Sequence, residues 1–98
     1  MMYTLEELRR QIDEIDNELL AMLAKRQNVV KQVGEYKAKH KIEVLDAKRE
    51  EYLRGFHQQL SARYNLSFSF IKELFALIME ESKRTQRDDK SVDKSAVV

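Results

Sequence analysis

The sequence has 98 residues, enough for one small domain, and it contains two glycines, no proline and no cysteine. Charged residues make up 36% of it beside 43% hydrophobic residues, which favours long helices over a sheet or a disordered chain. The net charge of +1 gives no support to nucleic-acid or membrane binding, and the lack of cysteine excludes disulfides, thiolate metal sites and a cysteine nucleophile.

The first predicted helix begins at a capping box, in which Thr4 is the N-cap and Glu7 follows three residues later. Apolar residues then recur at spacings of three and four: Leu5, Leu8, Ile12, Ile15, Leu19, Met22, Leu23, Val30 and Val33. They predict one amphipathic helix from Leu5 to about Lys39, in which Gly34 is tolerated at a cost of about 1 kcal/mol. This helix is roughly 50 Å long, whereas a compact chain of this length is only about 33 Å across. We therefore expect a second chain to cover its apolar face.

A loop and a second helix are expected next. Residues 39–44 show little periodicity, which is typical of a loop. Asp46 is a good N-cap for a helix that Asn65 can end in the left-handed conformation. The apolar face of this helix is predicted to contain Leu53, Phe56, Leu60 and Tyr64.

A third helix is expected to begin after Ser67, which can act as its N-cap, and to continue to about Gln86. Its apolar stripe contains Ile71, Leu74, Phe75 and Ile78. Residues 87–98 are polar and mixed in charge, which predicts a disordered tail after a single domain of residues 1–86. The expected fold class is all-α, with three helices per chain and a very long first helix.

Two cations occupy the apolar stripe of the first helix. At 100° per residue, Arg26 and Lys37 fall near the middle of the stripe, and Arg9 falls at its edge. A cation at a buried position is costly unless a carboxylate or an anionic ligand accompanies it. Arg26 and Lys37 are three turns, or roughly 16 Å, apart on one face, so their side chains leave a gap that suits one small dianion.

The other two helices also carry polar residues on their apolar faces. Arg49 shares a sector with Leu53 and Phe56, while Ser82 continues the stripe of the third helix and Gln86 lies at its edge. Departures of this kind in every helix are expected where a functional site overrides local rules.

Arg9 lies about 25 Å along the helix from Arg26, too far for both to bind one small ligand within a chain. An antiparallel copy of the first helix from a second subunit would bring it there. A homodimer would thus bury the apolar stripe and also complete the site.

Several common kinds of site are missing from the sequence. Neither His40 nor His57 has a second histidine or a carboxylate at metal-ligand spacing, and there is no Gly-rich phosphate loop and no HExxH motif. No metal site is predicted, and the cations, amide and hydroxyls suit catalysis by binding and electrostatics. Because the N-terminus has no signal-peptide core and no stretch reaches membrane-spanning length, we expect a cytoplasmic protein.

Five motifs follow one another in register along residues 5–86 without a gap: Leu8-Arg9-x-x-Ile12-Asp13-x-Ile15-Asp16-x-x-Leu19-Leu20, Leu23-x-x-Arg26, Val33-Gly34-x-x-Lys37, Asp46-x-x-Arg49-Glu50 and Ser82-x-x-x-Gln86. Together they resemble the all-helical chorismate mutase family. The resemblance implies an intertwined homodimer whose chains exchange their long first helices. It also implies the rearrangement of chorismate to prephenate, without a cofactor, in phenylalanine and tyrosine biosynthesis.

The resemblance also implies roles for individual residues. Arg26 and the partner subunit's Arg9 would bind the two substrate carboxylates, and Lys37 and Gln86 would donate hydrogen bonds to the ether oxygen. Glu50 and the region of Asp46 would hold the ring hydroxyl. The rest of the site would consist of Arg49 and Ser82 on a polar wall and Val33 and Met79 on an apolar wall. Leu45 departs from the pattern, because some family members carry an arginine there.

Two other functions are compatible with the sequence. An isochorismate–pyruvate lyase would share the scaffold and a similar dianionic substrate, although Ser82, Gln86 and the Asp46-x-x-Arg49-Glu50 motif look more like a mutase. A non-enzymatic helical dimerisation module would use the first helix as a coiled-coil arm. That module predicts that leucine can replace Arg26 and Lys37 without loss of stability.

Overall fold

The computed structural model describes residues 2–88, which form three α-helices. Helix α1 spans Leu5–Lys39, helix α2 spans Ala47–Arg63 and helix α3 spans Phe68–Asp88. The prediction of an all-α chain with a very long first helix is confirmed. Helix α3 extends two residues into the segment 87–98 that was expected to be a disordered tail, and the remainder of that segment lies outside the described residues.

The helix ends follow from local hydrogen bonds. The Thr4 hydroxyl accepts from the Glu7 backbone N–H at 3.1 Å and donates to the Glu7 carboxylate at 3.0 Å. The Asp46 carboxylate accepts from the Arg49 backbone N–H at 3.0 Å. Each N-cap satisfies an N–H that has no partner within its helix. Beyond α2, Asn65 has a φ of 55°, the left-handed conformation that asparagine tolerates better than most residues.

Helix α3 is the central element, because it packs against both α1 and α2. The chain is long and flat, with extents of 57 × 34 × 17 Å. Its radius of gyration is 17.2 Å, whereas a compact domain of this length has one of about 13 Å. One chain therefore forms a thin layer of helices and not a closed globule.

The apolar stripe of α1 is exposed in the single chain. Ile12 and Ile15 are 55% exposed and Leu19 is 62% exposed, whereas Gly34 is the buried residue of this helix. Burying such side chains is worth roughly 1.5–3 kcal/mol each. The exposure agrees with the expectation that this helix cannot bury its stripe on its own chain. Within residues 2–88, no helix is both long enough and apolar enough to span a membrane.

Helix α2 buries two polar residues that the periodicity did not indicate. Phe56 and Tyr64, expected on the apolar face, are exposed, whereas His57 and Ser61 are buried. The imidazole of His57 stacks on the Phe75 ring of α3 with centroids 3.8 Å apart, and the Ser61 hydroxyl donates to the His57 carbonyl at 2.7 Å. The contact between α2 and α3 thus includes polar groups that the periodicity did not indicate, and the prediction for Phe56 and Tyr64 stays a prediction for the assembled protein.

Candidate functional site

A cleft of about 260 Å³ lies between the C-terminal half of α1, the loop after it, the start of α2 and the end of α3. The structure brings nine of the ten predicted site residues to its walls: Arg26, Val33, Lys37, Asp46, Arg49, Glu50, Met79, Ser82 and Gln86. Arg9 does not line the cleft and lies on the exposed N-terminal part of α1. The roles of all ten residues stay predictions, but nine of them can contact one ligand.

Arg26 reaches from α1 to α3. Its guanidinium donates to the Ser82 hydroxyl at 2.6 Å and to the Gln27 amide oxygen at 3.1 Å, and the Ser82 hydroxyl donates to the Ile78 carbonyl at 2.7 Å. Burial and, to a lesser extent, the positive charge of Arg49 lower the pKa of Arg26 from its usual value. Among residues 2–88, Arg26 has neutral hydrogen-bond partners and no carboxylate in ion-pair contact. Its positive charge is thus available to an anionic ligand.

Lys37 links the end of α1 to the following loop. Its ammonium donates to the Val44 carbonyl at 2.9 Å, and the Ile42 backbone N–H donates to the Lys37 carbonyl at 2.7 Å. Lys41 has a φ of 57°, and Val44 is buried against the cleft. A lysine ammonium has three donors, so two remain for a ligand in the cleft.

The start of α2 supplies the charged wall opposite α1. The Asp46 carboxylate caps the helix, and the Arg49 guanidinium lies 5.1 Å from the centre of the Tyr52 ring. The Glu50 carboxylate faces α3, where the Lys83 ammonium lies 3.9 Å from it. This wall therefore offers a cation and two carboxylates to the cleft.

The end of α3 supplies two polar groups one helical turn apart. Ser82 is 6% exposed and Gln86 is 8% exposed. The Gln86 side-chain oxygen is buried without a hydrogen-bond partner in the described part of the chain. A buried polar group without a partner typically costs about 1–3 kcal/mol. A ligand in the cleft can satisfy this oxygen by donating a hydrogen bond, while the N–H₂ group of the same carboxamide can donate to an acceptor on the ligand.

The charges on the cleft favour a dianion. Four cationic side chains line it, against the two carboxylates of Asp46 and Glu50, which leaves a formal excess of two positive charges. The positive field also reaches the buried His57 behind the cleft. Burial, and then the charges of Arg26 and Arg49, lower the pKa of His57. A cleft with an excess of positive charge raises the local concentration of an anionic ligand.

Five residues of the cleft were not predicted from the sequence: Val29, Val30, Val44, Leu53 and Lys83. Lys83 could have been found, because it lies four residues after Met79 and three before Gln86, and these spacings share a helix face. Val44 comes from a loop whose sequence has no periodicity, so no comparable signal exists for it. Within residues 2–88 there is no group of three or more histidine or acidic side chains that could hold a metal ion.

Comparison with known proteins shows which family the chain resembles. Residues 8–87 match the family described as chorismate mutase type II. The chain is 32% identical over 87 residues to the chorismate mutase of Methanocaldococcus jannaschii. The matched residues cover 89% of this chain and 88% of that protein. The chain is 37% identical over 79 residues to the bifunctional chorismate mutase/prephenate dehydratase of Buchnera aphidicola subsp. Schizaphis graminum, and 36% identical over 80 residues to that of Escherichia coli K12. It spans only 20% and 21% of the lengths of those two proteins.

Proposed function

This chain belongs to the chorismate mutase type II family, and from that premise we propose that it catalyses the rearrangement of chorismate to prephenate. The observation that carries the proposal is the cleft with two excess positive charges, in which Arg26 has no carboxylate partner among residues 2–88. Chorismate carries two carboxylates and matches that charge. The rearrangement is intramolecular and needs no nucleophile, so binding and electrostatics suffice.

Substrate binding selects the reactive shape of chorismate. The reaction requires a compact, chair-like conformer, which the free substrate adopts only in part. Arg26 binds one carboxylate, and its hydrogen bonds to Ser82 and Gln27 fix the direction of its guanidinium in advance. Pinning the second carboxylate with another cation then holds the two ends of the substrate together, which is an orientation effect.

The ether oxygen of chorismate is the place where charge develops. Cleavage of the carbon–oxygen bond runs ahead of carbon–carbon bond formation, so this oxygen becomes negative in the transition state. Lys37 has two donors that the loop does not use, and Gln86, which lines the cleft, carries an N–H₂ group that can donate to the ether oxygen. Donors set in place before the reaction favour the transition state over the substrate.

The remaining residues of the cleft hold the ring of chorismate. Glu50 accepts a hydrogen bond from the ring hydroxyl, and the start of α2 near Asp46 closes the site beside it. Arg49 and Ser82 complete the polar wall, while Val33 and Met79 contact the apolar side of the ring. All of these residues line the same cleft, which supports their assignment to one ligand.

The proposal includes a homodimer with exchanged first helices. The exposed stripe of α1 requires a cover, and a second copy of the same stripe is complementary to it in chemistry and length. In such a dimer the partner's Arg9 binds the second carboxylate. This arrangement is supported by the roughly 25 Å along α1 that separate Arg9 from Arg26 within one chain. A cytoplasmic location also stays a prediction.

Assays of the purified protein test the proposal directly. We expect loss of chorismate and formation of prephenate without added metal or cofactor. The same preparation is then assayed with isochorismate, and release of pyruvate is measured. Dominant pyruvate release would make the chain a lyase. No turnover of either compound would overturn both enzymatic assignments and favour the non-enzymatic dimerisation module.

A further inference from the structure

Lys83 is a cation of the cleft to which the proposed reaction gives no role. It lies on α3 with its side chain 21% exposed, and its ammonium is 3.9 Å from the Glu50 carboxylate of α2 and 3.4 Å from the Glu80 carboxylate of α3. Glu50 lines the cleft, whereas the side chain of Glu80 is 72% exposed and lies outside it.

Lys83 and Glu50 also stand at a boundary between two cavities. Together with Met79 they line both the cleft and a second cavity of about 290 Å³ between α2 and α3. The ion pair therefore crosses from one helix to the other in the wall that separates these cavities. A change in this pair would alter the position of Glu50 relative to the cleft.

We propose that Lys83 is a positioning residue that holds the Glu50 carboxylate at the edge of the cleft and neutralises its charge, so that a dianionic substrate can bind beside it. The inference rests on the proposed function, because it assumes that chorismate occupies the cleft. It gives Lys83 an electrostatic role in substrate binding through Glu50, without direct contact between Lys83 and the substrate.

Electrostatics explain why Glu50 needs a counter-ion. Two charges a few ångströms apart interact more strongly in a half-buried cleft than in water, because the effective dielectric constant is lower and salt screens them less. A free Glu50 carboxylate would therefore repel the carboxylates of the substrate. Lys83 also contacts Glu80, but this second ion pair is the weaker interaction, since Glu80 is exposed and solvent screens its charge.

The reaction gives this role a kinetic signature. The ring hydroxyl that Glu50 holds does not change its charge during the rearrangement. Interactions of this kind stabilise the bound substrate and the transition state equally, so their loss raises KM and leaves kcat nearly unchanged. Loss of a donor to the ether oxygen would instead lower kcat.

The test is a double-mutant cycle with Lys83→Met and Glu50→Gln. In the wild-type background we expect Lys83→Met to raise the KM for chorismate on the order of tenfold, the size usual for coupling between contacting side chains, with kcat changed less than about twofold. In the Glu50→Gln background the same substitution should raise KM less than about twofold, because the neutral amide needs no counter-ion. Lys83→Arg should restore most of the affinity.

A control and a second variant keep the outcome clear. Lys72→Met removes the same charge from the same helix at a residue that lines only the second cavity, and its KM should match the wild type. Lys83→Gln repeats the test if Lys83→Met does not fold, as judged by circular dichroism.

The measurements separate failure of the proposed function from failure of the role proposed for Lys83. Absence of chorismate turnover in the wild type overturns the proposed function itself. Normal wild-type turnover with an unchanged KM for Lys83→Met overturns this inference alone. An equal rise in KM in both backgrounds also overturns it, because Lys83 would then act on the substrate directly and not through Glu50.

Discussion

The guanidinium of Arg26 on α1 donates a 2.6 Å hydrogen bond to the hydroxyl of Ser82 on α3, although the two residues are 56 positions apart in the sequence. This bond joins the two helices that form most of the cleft. It also uses a neutral group to orient Arg26, so that the positive charge is held in place without being cancelled.

Replacing Arg26 with leucine should abolish catalysis without unfolding the protein. We expect kcat/KM for chorismate to fall more than about 10²-fold, as for the loss of a preset charged donor. The melting temperature should stay within a few degrees of the wild type or rise, because removing a half-buried cation relieves a desolvation cost. Lys25→Leu, at an exposed neighbouring position, is the matched control and should keep full activity. Full activity of the Arg26 variant would remove the main support for the proposed function.

Replacing Gln86 with glutamate should make activity depend on pH. A neutral carboxyl can donate a hydrogen bond to the ether oxygen, whereas a carboxylate cannot and would repel it. Activity should therefore be highest near pH 5 and fall as the pH rises and the carboxyl loses its proton. Rates from pH 5 to 9 check this, with Gln86→Ala as a variant that should be slow throughout. A flat profile for the glutamate variant would argue against the donor role of Gln86.

The buried His57 should make the fold less stable in mild acid. Its pKa is lowered in the folded chain by burial and by the charges of Arg26 and Arg49, so the unfolded chain binds a proton more readily. Stability is then greatest above the unfolded pKa of about 6.5 and falls as the pH drops below it. Thermal melts between pH 5 and 7.5 measure this slope. His57→Gln should flatten it, and an equal slope in that variant would assign the effect to other groups.

Mixing two inactive variants tests whether Arg9 acts across subunits. Arg9→Ala and Arg26→Ala should each lose most activity. If each site combines Arg26 of one chain with the partner's Arg9, a mixed dimer has one intact site. Random exchange of equal amounts should then restore about a quarter of the wild-type activity, since half of the dimers are mixed and half of their sites are intact. No recovery after exchange, verified by native mass spectrometry, would show that the sites are not shared.

The helices could be predicted from the sequence because their signals are local. The caps at Thr4 and Asp46 and the left-handed Asn65 depend on neighbours within a few residues, and they mark helix ends as expected. The apolar periodicity of α1 likewise predicted its full length. Five residues of the cleft could be located for the same reason, since they are polar residues on apolar faces: Arg26, Lys37, Arg49, Ser82 and Gln86. The other four, Val33, Asp46, Glu50 and Met79, were expected only from the family resemblance.

The contacts between helices could not be predicted in this way. The burial of His57 depends on the Phe75 ring of α3, and the place of Val44 in the cleft depends on its contact with Lys37. The pairing of Lys83 with Glu50 joins two helices whose relative position no periodicity encodes.

Leu45, the departure from the family pattern, is exposed and does not line the cleft.

The bare apolar stripe of α1 has a consequence for how this enzyme responds to dilution. If that stripe is covered by a second chain that also delivers Arg9, then folding, assembly and completion of the site are a single equilibrium, governed by protein concentration. Specific activity would then fall when the protein is diluted below its dissociation constant, and substrate would reverse the loss by binding the assembled form. The amount of the protein in the cell would set the fraction of it that is active.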